Sequence, residues 1–160
     1  MIATAVMVKE RYPGYRPVFI GPCITKKFEA AEDYPVLNIL VLTFKELDEV
    51  FDKVNLGEAE TDREAQFDME WTPTRLYPLS GGLTQSCGVG QVLAEDQIVE
   101  ASGPEISVQS LKDFEQNKAI KLLDILSCDG GCIGGPGLES SLSLEERRKK
   151  VVEFWKKWRK

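Results

Sequence analysis

QIVEASGPEISVQSLKDFEQNKAIKLLDILSCDGGC, residues 97 to 132, alternates a short apolar run, an amphipathic stretch and a second apolar run before breaking into glycines. QIVEA (97–101) reads as a strand, ISVQSLKDFEQNK (106–118) as a helix and AIKLLDILS (119–127) as a second strand. Strand, helix and strand in succession predict two parallel strands joined by a crossover helix. In such sheets ligands collect at the carboxyl ends of the strands. Cys128 stands at such an end, directly after the last run.

The first half of the chain repeats the theme. PVFIG (17–21) and LNILVLT (37–43) read as strands, and MIATAVMVKE (1–10) as a helix stopped by Pro13 and Gly14. Thr43 with Glu46 has the spacing of a capping box, opening a helix whose apolar stripe is Phe44, Leu47, Val50, Phe51 and Val54. From Asn55 to Leu79 the sequence is acidic and irregular, with Pro73 and Pro78, and predicts a long excursion rather than a core element. Its part from Glu58 to Glu70 reads as solvated surface. The last segment, SLSLEERRKKVVEFWKKWRK, opens with a second capping box, Ser143 and Glu146. Val151, Phe154, Trp155 and Trp158 form one apolar face on this basic helix. The expected fold is α/β, a mainly parallel sheet flanked by helices, with a C-terminal amphipathic helix.

The 160 residues, 42% of them apolar, suffice for one domain with a core. With 20 Lys+Arg against 26 Asp+Glu the net charge is −6, so the chain as a whole offers no basic surface for nucleic acid. Residues 145–160 concentrate eight basic and three acidic side chains, leaving 12 basic and 23 acidic elsewhere. No apolar run approaches the roughly 20 residues of a membrane span, and a cytoplasmic location is expected. Histidine is absent, which excludes His-based triads, His general bases and Cys-His zinc sites.

Chemistry therefore falls to cysteine. Cys128 and Cys132 sit in SCDGGCIGGPG (127–137), whose spacing is neither that of a zinc ribbon nor that of a thioredoxin-like redox pair. Gly130, Gly131, Gly134, Gly135 and Gly137 allow close backbone approach and expose amides that can donate to sulfur or to an anionic ligand. On spacing alone, metal or cluster binding and a glycine turn beside buried cysteines stand about even. In GPCITKK (21–27), Pro22 precedes Cys23 in a turn after a strand, and Lys26 and Lys27 follow. A nearby cation favours a thiolate and offsets the charge of an anionic cluster, although a surface lysine pair is the plainer reading of that motif alone. Cys87, in SGGLTQSCGVG, matches no ligand motif and is expected to be a small buried residue at a helix start.

Taken in order, FIGPCITKKFEA, the segment ending VLTFKEL, and SCDGGCIGGPG resemble the catalytic domain of the FeFe, or iron-only, hydrogenase large subunit, from about Met1 to Leu138. Ser80, Gly81 and Gly82 match a further glycine segment. The resemblance implies one lobe of that domain over residues 1–138, with residues 139–160 a basic helix or linker. It implies that Cys23, Cys128 and Cys132 are three of the four ligands of a 4Fe-4S cluster, and that Cys132 bridges it to a di-iron unit with CO and cyanide ligands, together the H-cluster. Lys26 would hydrogen-bond a cyanide as a catalytic-site residue. Pro22 would wall the pocket, and Gly130, Gly131, Gly134 and Gly135 would admit the cluster. The implied reaction interconverts H2 with protons and electrons. The implied partner is an electron-transfer protein such as ferredoxin, or in-chain iron–sulfur domains.

There are departures from the family pattern. The Cys-Cys-Pro segment that supplies the fourth ligand and, in active enzymes, a proton-transferring thiol is absent. The chain is thus expected to be the C-terminal part of a longer polypeptide, inactive by itself. Gly21 and Leu126 stand where many catalytic members carry methionine, Asp129 replaces a frequent proline, and Pro136 interrupts the glycine run. These changes are closer to hydrogen-sensing members with a downstream signalling domain. A non-catalytic iron–sulfur scaffold, against which Lys26 argues, and a plain zinc-binding domain are the further alternatives.

Overall fold

A computed structural model describes residues 1–56 and 72–158, so the segment read as solvated surface, Glu58 to Glu70, lies outside the described residues. The chain divides into two compact units: residues 1–56 with Gly135–Ser140, and residues 72–134 with 141–158. The expected α/β class is observed, and among the described residues the parallel strands form two two-stranded sheets.

In the first unit, helix α1 (Ile2–Arg11) ends with the Tyr12 N–H donating to the Val8 carbonyl, and Pro13, which lacks a donor, prevents continuation. Its buried Ala5 joins Ala30, Ile39 and Val41 in a small core, against which Met1, Ile2, Phe19 and Leu37 pack. Strand β1 (Val18–Ile20) pairs in parallel with β2 (Leu40–Leu42), Val18 opposite Leu40 and Ile20 opposite Leu42. The second strand is shorter than predicted because Pro35–Leu37 makes a 3₁₀ turn and Asn38 takes a left-handed φ of 48°. Asparagine tolerates that conformation better than most residues.

The crossover between these strands contains a helix that local signals do not announce. Helix α2 (Thr25–Phe28) runs into a π-helical turn, Glu29–Asp33. Its N-cap is Ile24, with no side-chain cap, and only Ala30 is buried on the whole segment, so neither a cap nor an apolar stripe marks it. Helix α3 (Phe44–Lys53) starts at the predicted Thr43–Glu46 capping box. None of its residues is buried, and Phe44, Val50 and Phe51 of the expected stripe are exposed.

In the second unit, a 3₁₀ turn (Thr72–Leu76) leads to a short helix α4 (Gly82–Ser86). Strand β3 (Ile98–Ser102), helix α5 (Pro104–Gln116) and strand β4 (Leu122–Leu126) follow as the sequence predicts, the strands parallel from Ile98 opposite Leu122 to Ser102 opposite Leu126. Proline suits the first turn of α5, where its missing N–H would be unpaired in any case. The buried carboxylate of Asp124 accepts from the Thr84 hydroxyl at 3.0 Å and its N–H at 3.3 Å, fixing α4 to the middle of β4.

Two expectations are corrected here. The segment read as an excursion up to Leu79 ends in the core: Leu76 is 4% and Leu79 2% exposed, and with Ile133 they form the centre of this unit. The prolines do not keep the segment outside. Pro78 instead offers its carbonyl to the Ile133 N–H, joining it to the cysteine loop. The apolar face of the last helix, α6 (Leu144–Trp158), is corrected at Phe154, while the side chain of Trp158 lies outside the described residues. Val151, Val152 and Trp155 pack on Leu76, Leu79 and Ile133, while Phe154 is 52% exposed, with the Arg75 guanidinium 4.8 Å from its ring centre. The predicted second capping box is present, the Ser143 hydroxyl and N–H both meeting the Glu146 carboxylate.

Candidate functional site

The first motif is built on the end of β1. The Gly21 N–H donates to the Leu42 carbonyl at 3.0 Å, holding the outgoing chain beside β2, and the Pro22 carbonyl accepts from the Gly137 N–H at 2.9 Å. Cys23, half-buried, comes next and leads into α2. Both lysines of this motif are ion-paired, Lys26 with Glu29 one helical turn on and Lys27 with Glu46 of α3. Both side chains remain partly exposed, as the plainer reading of a surface lysine pair expects.

Glu46 thereby serves two structures. It accepts from the Thr43 N–H at 2.8 Å and hydroxyl at 2.9 Å while pairing with Lys27. The Lys27 hydrogen bond, then those of Thr43, pull its pKa from 4.5 to about 2. Because the folded value lies below the unfolded one, the stabilisation is complete above about pH 4.5 and is lost as pH falls towards 2. A Glu46→Gln variant should therefore show a shallower loss of stability across that window in acid-unfolding curves. Parallel curves for the two proteins would argue against the Lys27–Glu46–Thr43 arrangement.

The second motif follows β4. Cys128 and Cys132 are half-buried, and the loop between them is closed by the Gly131 N–H donating to the Cys128 carbonyl at 3.0 Å. Gly131 has φ +96°, and a Cβ there would lie 2.6 Å from the Pro78 carbonyl oxygen and 2.8 Å from the Ser80 nitrogen. Cys132 then opens a 3₁₀ turn, Cys132–Gly134, in which a Cβ on Gly134 would lie 2.3 Å from the Asp129 carbonyl oxygen. Gly130 needs glycine for its φ of +71° rather than for space, and Gly135 is buried. Arg147 of α6 fastens the far side, its guanidinium donating to the Ile133 carbonyl at 2.9 Å and the Leu142 carbonyl at 2.8 Å. Beside the loop lies an open groove of about 540 Å³ whose lining includes Cys128, Asp129, Pro104 and Arg147.

Asp129 has a counterpart that sequence reasoning missed. Its carboxylate oxygen stands 2.1 Å from where a Cβ on Gly103 would be, and Gly103 takes φ +88° at the start of α5. The Gly-Pro pair before that helix was the available signal. Gly81 and Gly82, matched only as a glycine segment, are packed against the Glu100 carboxylate and the Leu76 carbonyl respectively. Cys87 is corrected: it is exposed, at the end rather than the start of α4, with its sulfur 3.6 Å from the Tyr77 hydroxyl. A short helix with Gly81 at its N-cap carries its start signal upstream of the cysteine.

All four cysteines are thiols rather than disulfides. Among the described residues, no three Cys, Asp or Glu side chains are grouped so as to hold a metal ion. The donor chemistry nevertheless suits an iron–sulfur group. Soft thiolates select iron–sulfur clusters, while Gly131 and Gly134 of the Cys128–Cys132 loop are packed against the chain's own backbone. No described helix is long and apolar enough to cross a membrane.

Residues 1–136 match the family model described as "Iron only hydrogenase large subunit, C-terminal domain". No curated protein matches the chain.

Proposed function

The chain belongs to the iron-only hydrogenase large-subunit family, whose C-terminal domain it matches over residues 1–136, and we propose that it holds part of the hydrogen-activating cluster of such an oxidoreductase. The observation that carries this reading is the Cys128–Cys132 loop at the carboxyl end of β4, pressed by Gly131 against the Pro78–Ser80 backbone. Cys23 occupies the corresponding place after β1. In this reading Cys23, Cys128 and Cys132 would hold the iron through their thiolates, Cys132 also serving the di-iron unit. The bound group supplies the reversible exchange of H2 with protons and electrons, and the protein supplies orientation and electrostatics.

Lys26 keeps its proposed role toward a cyanide ligand. An ammonium has three donors, so pairing with Glu29 leaves it able to donate to a second anion while limiting its swing. Pro22 walls the same pocket. Residues 1–138 form the hydrogenase part and 139–160 the basic helix appended to it. The partner for electrons is an iron–sulfur protein or domain, and the isolated chain does not turn over. A hydrogen-sensing role is the second reading, favoured by Gly21 and Leu126 at positions where the catalytic pattern has methionine.

Anaerobic reconstitution with ferrous iron and sulfide, in the presence of a small thiol to serve as fourth ligand, tests the ligand assignment. Iron and acid-labile sulfide should fall to background in Cys23→Ser, Cys128→Ser and Cys132→Ser and stay at the parent level in Cys87→Ser. Equal loss in Cys87→Ser, or uptake of zinc but not iron by the parent, would sink the assignment.

A further inference from the structure

Residues Gly135–Ser140 follow the Cys132 turn in sequence but belong to the first unit, where they meet the Cys23 turn. Gly137 makes the contact. Its N–H donates at 2.9 Å to the carbonyl of Pro22, the peptide oxygen immediately before Cys23, and its own carbonyl accepts from the Lys45 N–H at 3.2 Å in the first turn of α3. Gly137 is buried and is not among the glycines with positive φ, so the position demands space rather than an unusual backbone angle. A Cβ there would stand 2.7 Å from Thr43 Cγ2, 2.8 Å from Thr43 Cβ and 2.9 Å from the Pro22 oxygen.

The same turn is held on its other sides. The Gly21 N–H is tied to the end of β2, and Lys27 is tied to Glu46, whose partner in the capping box is the Thr43 that Gly137 touches. The peptide on one side of Cys23 and the helix on the other are thus anchored to the start of α3, with Gly137 as the wedge between them. A ligand side chain delivers its donor reliably only when the surrounding shell fixes it to a fraction of an ångström.

We infer that Gly137 is a positioning residue for Cys23, setting the thiol's place through the Pro22 carbonyl; this rests on the reading of Cys23 as a cluster ligand. The test is alkylation of the parent chain and of Gly137→Ala by iodoacetamide, each cysteine being followed by mass spectrometry with the exposed Cys87 as internal reference. The Cys23-to-Cys87 rate ratio should rise roughly tenfold in the variant through local opening, with the Cys128 and Cys132 ratios unchanged. A merely structural role would raise all the half-buried thiols together, and that result, or an unchanged Cys23 ratio in a folded variant, overturns the inference.

If alanine prevents folding, amide hydrogen exchange of the parent decides: Gly137 and Gly21 should be protected to a similar degree, and a Gly137 amide exchanging like free peptide overturns it. Iron loading separates this inference from the proposed function. With a parent that binds iron, Gly137→Ala should lose iron and its sulfide-to-iron absorption to the extent Cys23→Ser does. A parent that binds none sinks the functional reading and leaves the labelling ratio to decide the role of Gly137.

Discussion

Gly82→Ala is expected to destabilise the second unit by about 4 kcal/mol, at the upper end of what overpacking costs. The added Cβ would lie 1.7 Å from the carbonyl oxygen of Leu76 and 2.5 Å from its carbon, both backbone atoms. No rotamer relieves such a contact. The 3₁₀ turn that carries Leu76 into the core must move, and Leu79, whose N–H bonds to that same Leu76 carbonyl at 2.9 Å, must move with it. Alanine's better helix propensity returns about 1 kcal/mol at most, so the clash wins. For a chain of this size the loss corresponds to a fall in Tm of roughly 8–16 °C.

The adjacent positions supply the scale. Gly81→Ala meets only the flexible Glu100 carboxylate, which can rotate away, and is left with the strain of a φ of +73°, roughly 1–2 kcal/mol. Gly90→Ala faces open space at an ordinary φ and should be close to neutral. Thermal or urea unfolding of the three variants should therefore rank Gly82, Gly81 and Gly90 in decreasing order of damage. A Gly82→Ala protein as stable as Gly90→Ala would show that α4 does not press on the Leu76 turn.

Parts of this architecture can be read without coordinates because their causes are local. The β3–α5–β4 crossover announces itself in apolar runs flanking an amphipathic stretch, and α3 in the Thr43–Glu46 spacing. The burial of Leu76 and Leu79 has no such local cause. It depends on Ile133 and on Val151, Val152 and Trp155, far along the chain, and two prolines in the segment argued the other way. Helix α2 was illegible for a different reason, since an isoleucine N-cap and a single buried alanine give it no cap and no stripe. At the site, the placement of Cys23 and Cys128 beyond strand ends was legible from strand pattern alone. The pairing of Lys26 and Lys27 with Glu29 and Glu46, the fit of Asp129 against Gly103, and the exposure of Cys87 were not. The Lys27–Glu46 pair and the fit of Asp129 against Gly103 join residues that only the folded chain brings within reach, whereas the Lys26–Glu29 pair depends on helix α2, which the sequence does not announce.

Gly131→Ala is expected to cost about 4 kcal/mol as well, with a direct consequence for the proposed iron site. Two penalties combine at this residue. A φ of +96° is unfavourable for any L side chain, and a Cβ would stand 2.6, 2.8 and 3.0 Å from the Pro78 oxygen, the Ser80 nitrogen and the Leu79 carbonyl carbon. Gly14 separates the two, because it shares a φ of +94° but has nothing within 4 Å. Gly14→Ala should thus report the dihedral cost alone, roughly 1–2 kcal/mol, and the excess in Gly131→Ala is the cost of close approach. Relief of that contact requires Pro78 to retreat, which strains its hydrogen bond from the Ile133 N–H, between Cys132 and Gly134. The thiol of Cys132 then loses its fixed place relative to Cys128. Unfolding curves should give the stability difference between the two variants, and reconstitution in conditions where both remain folded should show iron lost from Gly131→Ala and retained by Gly14→Ala. If the two variants instead lose equal stability and bind equal iron, the backbone does not pack tightly behind the cysteine loop, and the glycines there serve the turn alone.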